Sequence, residues 1–406
     1  MAEEYYLKPP RDQLFYIFVL FIMTIFGLAD NKWWDINFSP KLQNIFYTHA
    51  SLVKLLAPTV LFMLTISFFD YEKLNFETLG IMFSILPVSL IKIISARFKS
   101  YEILMRDFNE KIHLRSYYMK KKDDFVKLNI IKVEKYTRRT FYFLGVFLMT
   151  DWCSWVIIPI LNNIQNSELI ANKTTRLQTC LYLWMPFDYS YNYNRWILMH
   201  ILSAYLTFGG CSLITVFDTI NLAFVFNLIA HIKILKYTIK NRFLDKTMTN
   251  EAHYKELVEV IKTHTFIVKT FDELQSAYGI NVAGNYLQNL LEDSLLLYQL
   301  MFAEKGFKIT YGIMLIVYMG ELVLMSFVLE EVRRQSDDLP QVLYSIPWED
   351  MSVSNQKIFK LVLLRFQPIL SFKAACGLKA GVKPMMSILK STFSYYIMLK
   401  SSVETK

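Results

Sequence analysis

Apolar and polar stretches alternate along this chain with a spacing set by a bilayer. The first apolar run, Leu14 to Ala29, is 16 residues long and follows Lys8 and Arg11. That falls short of the ~20 residues a spanning helix needs. No small-x-small cleavage site follows it, only Asp30-Asn-Lys-Trp-Trp, so it predicts a re-entrant or interfacial segment rather than a signal peptide. Longer runs follow at Tyr47–Phe69, with Lys54 and Pro58 inside, and at Phe76–Ala96, which ends near Lys92 and Arg97. Phe141–Leu161, Trp196 to about Ala230, Ala277–Phe302 and Ile309–Leu329 come next, and the last run is Pro384–Lys400. Together they predict an all-α membrane protein with seven transmembrane helices. The fourth run is longer than the bilayer and should continue beyond it as helix. Ala277–Phe302 carries Glu292 and Asp293, and Ile309–Leu329 carries Glu321. No internal repeat or low-complexity linker interrupts the pattern, so one membrane domain is expected.

The last run differs from an ordinary span. Ser387, Ser391, Ser394, Met398 and Ser401/Ser402 recur every three or four residues and so share one helix face. Ile388, Leu389, Tyr395, Ile397 and Leu399 occupy the other. A hydroxyl stripe has no use against lipid and suits a helix that lines water. It also suits a buried helix whose serines bond back to their own backbone. On pattern alone both remain open.

Composition agrees with the membrane reading: 54% of the 406 residues are hydrophobic and 16% aromatic, with mean hydropathy +0.28. Net charge is +9. The charge lies in the loops between apolar runs, which points to membrane orientation rather than to nucleic acid. Thirteen Lys and Arg fall between Arg97 and Arg139, eight between Lys233 and Lys269 and six between Arg333 and Lys373, against eight in the other four connections together. The basic loops are therefore expected inside, with a cytoplasmic N-terminus and an extracellular C-terminus. The sequon Asn172-Lys-Thr falls in a loop this topology places outside, where Asn172 would be glycosylated. A G-protein-coupled receptor has the opposite orientation, and Pro159-Ile-Leu-Asn-Asn stands where its Asp-Arg-Tyr type of triplet belongs. Of the four cysteines, Cys153 and Cys180 can both lie outside and pair, or stay as isolated thiols; no metal-ligand spacing appears.

Catalytic constellations are missing: there is no GxSxG, HExxH or P-loop, and Glu292 and Asp293 are adjacent and so point different ways on a helix. No cofactor is implied and the chain does not read as an enzyme. Asp218 and Glu321 are predicted to pair with basic loop residues near the inner ends of their spans. A ligand site is concave and mostly apolar, with a few polar groups. The outer halves of spans two, three, four and six offer Leu79, Met82 and Phe83; Thr150, Cys153, Ser154 and Trp155; His200, Ser203 and Leu206; and Tyr311, Met314, Leu315 and Tyr318. Aromatic rings supply shape and methionine adapts to varied ligands, so a small volatile, largely apolar molecule is expected.

The C-terminal third carries a recognisable order of motifs: Leu343-Tyr-Ser-Ile-Pro-Trp-Glu, then Lys360-Leu-Val-Leu-Leu-Arg-Phe-Gln-Pro368, then Lys390-Ser-Thr-Phe-Ser-Tyr-Tyr-Ile-Met-Leu. This resembles the insect odorant receptor family. The resemblance implies a ligand-gated, non-selective cation channel in the plasma membrane of a sensory neuron. It implies a heterotetramer with shared odorant coreceptor subunits and a split seventh helix. Residues 1–340 would hold spans one to six and the ligand pocket, 341–375 a cytosolic anchor and 376–406 the pore-lining half. In the anchor, Ile358, Leu361, Leu364 and Ile369 form a stripe suited to burial between subunits. Ser391, Ser394, Met398, Ser401 and Ser402 would face the pore, with Met398 narrowing it when closed. The family often has histidines near the positions of His231 and His264, which are read here as helix-surface residues.

Two departures refine the picture. The second basic loop, Lys233 to Glu273, is compact, whereas the coreceptor's is much longer; the chain is more like a ligand-tuning subunit. Gustatory relatives end in Thr-Tyr, five apolar residues and Gln, whereas here Ser394-Tyr395 leads to Lys400-Ser401, with a positive charge near the outer mouth. A gustatory-receptor-like channel and a membrane transporter remain the alternatives; a transporter should show internal repeats and broken helices around polar midplane sites.

Overall fold

The computed structural model describes residues 2–36, 38–67, 69, 90–243, 248–302 and 305–404. Its architecture is all-helical. Among the described residues the only β pairing is an isolated antiparallel bridge, Lys373 to Lys379. Helix α1 is Ala2–Tyr6, α2 Leu14–Ile25 and α3 Pro40–Ser67. After a helical stretch at 90–96 come α4 Lys99–Asp107, α5 Arg115–Lys121, α6 Asp124–Gln165 and α7 Ser167–Ala171. They are followed by α8 Tyr193–Arg242, α9 Asn250–Phe302, α10 Lys305–Asp337, α11 Leu339–Tyr344, α12 Val353–Phe366 and α13 Val382–Glu404.

Local chemistry starts these helices where the sequence changes character. The side chain of Asp123 accepts from the Phe125 amide at 2.7 Å and opens α6. Asn192 does the same for α8 through the Arg195 amide at 3.2 Å, and Ser352 for α12 through Asn355 at 3.4 Å. Helix α2 stops at Phe26 because Gly27 turns left-handed, with φ +69°. Its 12 residues span only about 18 Å, too short for the ~30 Å hydrocarbon core. The short first run therefore forms a helix that does not span by itself; Tyr16, Val19, Leu20 and Met23 bury one side of it in the main core.

Among the described residues, four helices are long and apolar enough to cross a membrane: Pro40–Ser67, Asp124–Gln165, Tyr193–Arg242 and Phe307–Tyr344. Helices α9 and α13 are long enough but less apolar or more charged. The predicted second span, Phe76–Ala96, is described only at its end, 90–96. The multi-pass helical architecture thus stands.

The long helices are not equivalent. In α8, 94% of the most apolar window is buried within the molecule, against 17% for α3 and 28% for α6. Helix α8 is the central post, and α3 is a peripheral helix whose Leu55, Leu61 and Phe62 are exposed. At 50 and 53 residues, α8 and α9 run about 75 and 80 Å. Both extend far past the bilayer, as the long fourth run predicts; the extension of α9 was not legible as a span because its first half is amphipathic.

The C-terminal segment forms two helices, α12 and α13. Between them the chain folds back on itself. The amide of Ala374 donates to Leu378 O at 2.7 Å and that of Ala380 to Phe372 O at 2.9 Å. Gly381, at φ +130°, leads into α13; a Cβ there would collide with the Glu330 carboxylate. Its amide donates to the Tyr286 hydroxyl at 2.9 Å, which ties the start of α13 to α9.

Candidate functional site

An aromatic cluster lies where α6, α8 and α10 meet under the loop at 172–192. Trp155 is 1% exposed and Tyr311 fully buried. Their rings meet edge-on at 5.5 Å, and Phe307 lies 5.8 Å from Trp155. The Trp155 indole donates to Met314 Sδ at 3.2 Å. Tyr318 joins the same cluster one helical turn below Met314. Aromatic packing and the soft thioether give this site shape without strong charge.

The loop closes the cluster from above. Leu177, Cys180, Leu181, Tyr182, Leu183 and Tyr189 bury their side chains in it. Loop and helix exchange hydrogen bonds: Asn163 Nδ2 donates to Gln178 O at 2.9 Å, and the Gln178 amide donates to Asn163 Oδ1 at 2.8 Å. Trp196 Nε1 also donates to Gln178 O, at 2.7 Å, and the Trp184 amide to Ser67 Oγ at 2.7 Å. This lid has no counterpart in the sequence reading, because its apolar residues are too few and too irregular to show a period.

The residues expected to line a pocket divide into groups. Trp155, Tyr311, Met314 and Tyr318 come together. Ser203 is buried and within 3.0 Å of the Cys180 thiol. His200 stacks on Trp196 at 4.9 Å and pairs with Val156 O at 3.1 Å. Leu206 and Leu315 are half-buried and pack against the cluster. Thr150 and Cys153 are exposed on the outer side of α6, and Ser154 is half-buried. Successive helical residues turn by about 100°, so a side that buries Leu148, Asp151 and Trp155 puts 150 and 153 nearly opposite. Thr150 instead bonds back to Val146 O at 2.7 Å, and Ser154 to Asp151 O at 2.7 Å. Leu79, Met82 and Phe83 lie outside the described residues. Cys153 and Cys180 are both free thiols, one exposed and one buried; of the two readings, isolated thiols is the one that holds. Burial pushes the Cys180 thiol up to about 11. Asn172 is exposed at the start of the loop.

Below the aromatic cluster lies a buried charge cluster. Lys92 is fully buried and pairs with Asp218; its ammonium is 3.4 Å from Glu321 Oε1. Asn285 Nδ2 donates to the same Glu321 oxygen at 3.1 Å. Asp218 and Glu321 do not reach for basic loop residues. A cation from the end of the second apolar run comes to them, because a bilayer offers no water to solvate two carboxylates. Tyr318 and Glu321 are one turn apart on α10, so the aromatic and charged clusters adjoin.

His231 and His264 also depart from expectation, since both are buried. His231 Nε2 pairs with Ile112 O at 2.7 Å. His264 stacks on Phe366 of α12 at 4.0 Å. Each ring tethers a long helix to a neighbouring segment rather than meeting solvent. Among the described residues no group of three His, Cys, Asp or Glu side chains is placed to hold a metal ion.

In α13 the face turned to the bundle is Met385, Ile388 and Thr392. Ser391 is half-buried; Ser394 and Ser401 are exposed, as is Met398 at 56%. Ser394 Oγ donates to Lys390 O at 3.0 Å and Ser401 Oγ to Met398 O at 2.9 Å. Ser402's side chain lies outside the described residues. Tyr395 and Ile397, expected opposite the stripe, are exposed as well. Little of α13 is covered within one chain. In α12, Phe359, Val362 and Phe366 turn inward while Leu361 and Leu364 are 66% and 60% exposed.

This arrangement has known counterparts. The chain matches 16% identical residues of the insect olfactory receptor OR5 from Machilis hrabei in complex with eugenol, with TM-score 0.75 over 95% of this chain and 97% of that one. A second structure of the same receptor gives TM-score 0.73 at 17% identity and the same coverage. Odorant receptor 30a of Drosophila melanogaster is 23% identical over 299 residues, 71% of this chain and 74% of that protein. Odorant receptor 10 of Aedes albopictus is 22% identical over 221 residues, 54% and 59% of the two chains. The profile of the 7tm Odorant receptor family matches residues 74–393, from the second apolar run to the face of α13. This multi-pass helical chain is a member of the insect odorant receptor family, a receptor rather than an enzyme.

Proposed function

We propose that this chain is the odorant-binding, ligand-tuning subunit of a ligand-gated, non-selective cation channel, assembled with coreceptor subunits as a heterotetramer in the plasma membrane of a sensory neuron. The observation that carries this reading is the bare outer surface of the broken C-terminal segment. Leu361 and Leu364 on α12 are largely exposed, and α13 presents Ser394, Met398 and Ser401 on an uncovered side. A single chain gains nothing from such faces; an assembly around a central axis covers the first and wets the second. The ligand is a small volatile, largely apolar molecule held by Trp155, Tyr311, Met314 and Tyr318 beneath the loop, with Ser203 and His200 near enough to address one oxygen. The eugenol of the Machilis complex is of that kind. In this topology the N-terminus is cytoplasmic, the C-terminus extracellular and Asn172 glycosylated.

Expression with and without an insect coreceptor, with currents recorded across an odorant panel, tests the reading. Odorant-evoked cation currents that need both chains, and persist in excised patches without nucleotides, support it. Uptake of a labelled odorant without current would favour a transporter.

A further inference from the structure

A cleft of about 860 Å³ opens between α6, α8 and α10, away from the aromatic cluster and at the basic ends of these helices. Its lining changes character along its length. Phe143, Phe226, Leu324 and Phe327 belong to the apolar spans, whereas Lys132, Arg139 and Lys233 stand at or beyond their ends. Lys132 and Arg139 are exposed and have no carboxylate partner among the described residues. One carboxylate, Glu331, also faces the cleft. It is already held by Arg334 at 2.8 Å and Lys233 at 3.6 Å, so positive charge stays in excess.

We propose that this cleft binds one anionic phospholipid, its phosphate headgroup among Lys132, Arg139 and Lys233 and an acyl chain along Phe143, Phe226 and Phe327. Three features together favour a lipid over a soluble anion. The cations stand at the boundary where headgroups lie, the apolar wall continues from them toward the hydrocarbon, and the cleft is open at the side. An aqueous phosphate would use the cations and leave the wall idle. An apolar odorant would use the wall and leave the cations idle. Each cation near an anionic surface contributes about 1 kcal/mol, or roughly fivefold in affinity.

Native mass spectrometry of the full-length chain, purified with its assembly partners in detergent, tests this with phosphatidylserine, phosphatidylcholine and glycerophosphoserine as separate probes. The expected result is selective retention of phosphatidylserine, with little binding of the zwitterionic lipid or the soluble headgroup. Lys132→Gln with Arg139→Gln should lower phosphatidylserine retention about 25-fold and leave the unfolding temperature near the parent's. Glu331→Gln, which removes the opposing charge at equal size, should raise it. Equal retention of both lipids, or of the soluble headgroup and phosphatidylserine, overturns the proposal. So does a Glu331→Gln protein that binds phosphatidylserine less tightly, a result that stands even where the double variant fails to fold. The binding readout needs no channel activity, so it stands or falls apart from the gating assignment above.

Discussion

Tyr318 stands where the aromatic cluster meets the charged one, and its ring is 4% exposed. Tyr318→Ala removes buried apolar contact worth on the order of 1–3 kcal/mol, which should shift half-activation by roughly ten- to a hundredfold while changing maximal current less. Concentration–response curves for several odorants measure it; unchanged curves for Tyr318→Ala, Tyr311→Ala and Phe83→Ala alike would move the site elsewhere. Lys92 answers to a different physics. Lys92→Met leaves Asp218 and Glu321 buried without their cation, at a cost of about 3–5 kcal/mol. Little receptor should reach the surface, and adding Asp218→Asn and Glu321→Gln should recover part of it. His264 lies on α9 before its apolar half. Burial, helped by the Arg365 guanidinium, lowers its pKa from 6.5 to about 4. The folded state therefore resists protonation and the unfolded state does not. Stability is full above pH 6.5 and falls as pH drops toward 4, by on the order of 1 kcal/mol at pH 5.5. Melting curves at pH 7.5 and 5.5 should show this loss, and His264→Leu should flatten it.

At the scale of elements, the apolar runs announced most of the helices because period and length act locally. Phe141–Leu161 and Trp196–Ala230 sit inside α6 and α8, and the short Leu14–Ala29 run is a helix ended by Gly27. Function was less legible where it depends on rotation or on distant partners. Trp155 and Thr150 look equivalent in a string of residues, yet one faces α10 and the other the outside of the bundle. Lys92 could not be matched to Asp218 and Glu321, since nothing local marks a pair 126 or 229 positions apart. The loop at 172–192 stayed unread for a similar reason: its side chains are buried by the fold, not by their own pattern. For α13 the rotation about its axis is what matters. If α13 lines the pore as proposed, Met398→Cys should react with a water-soluble thiol reagent, faster with odorant present, because an apolar ring in a pore gates by dewetting. A negligible rate in both states, with Tyr395→Cys reacting readily, would place the pore on the other side of α13.

For the molecule as a whole, the basic loops imply one sidedness. An epitope appended after Lys406 should stain on intact cells; staining only after permeabilisation would reverse the topology and the pore with it. Central α8, the most buried of the four long apolar helices, lets the surrounding helices change their outer residues freely. That fits a fold held at TM-score 0.75 with 16% identity. The single turn between Tyr318 and Glu321 then bears on inheritance. On the proposed reading, a codon change at 311, 314 or 318 would redraw the odorant site and leave the ions beneath it in place, whereas a change at 92, 218 or 321 would cost the receptor its fold whatever it binds. Selection can be permissive in one cluster and severe in its neighbour. A duplicated gene can thus acquire a new odorant in a step or two without passing through a chain that fails to fold.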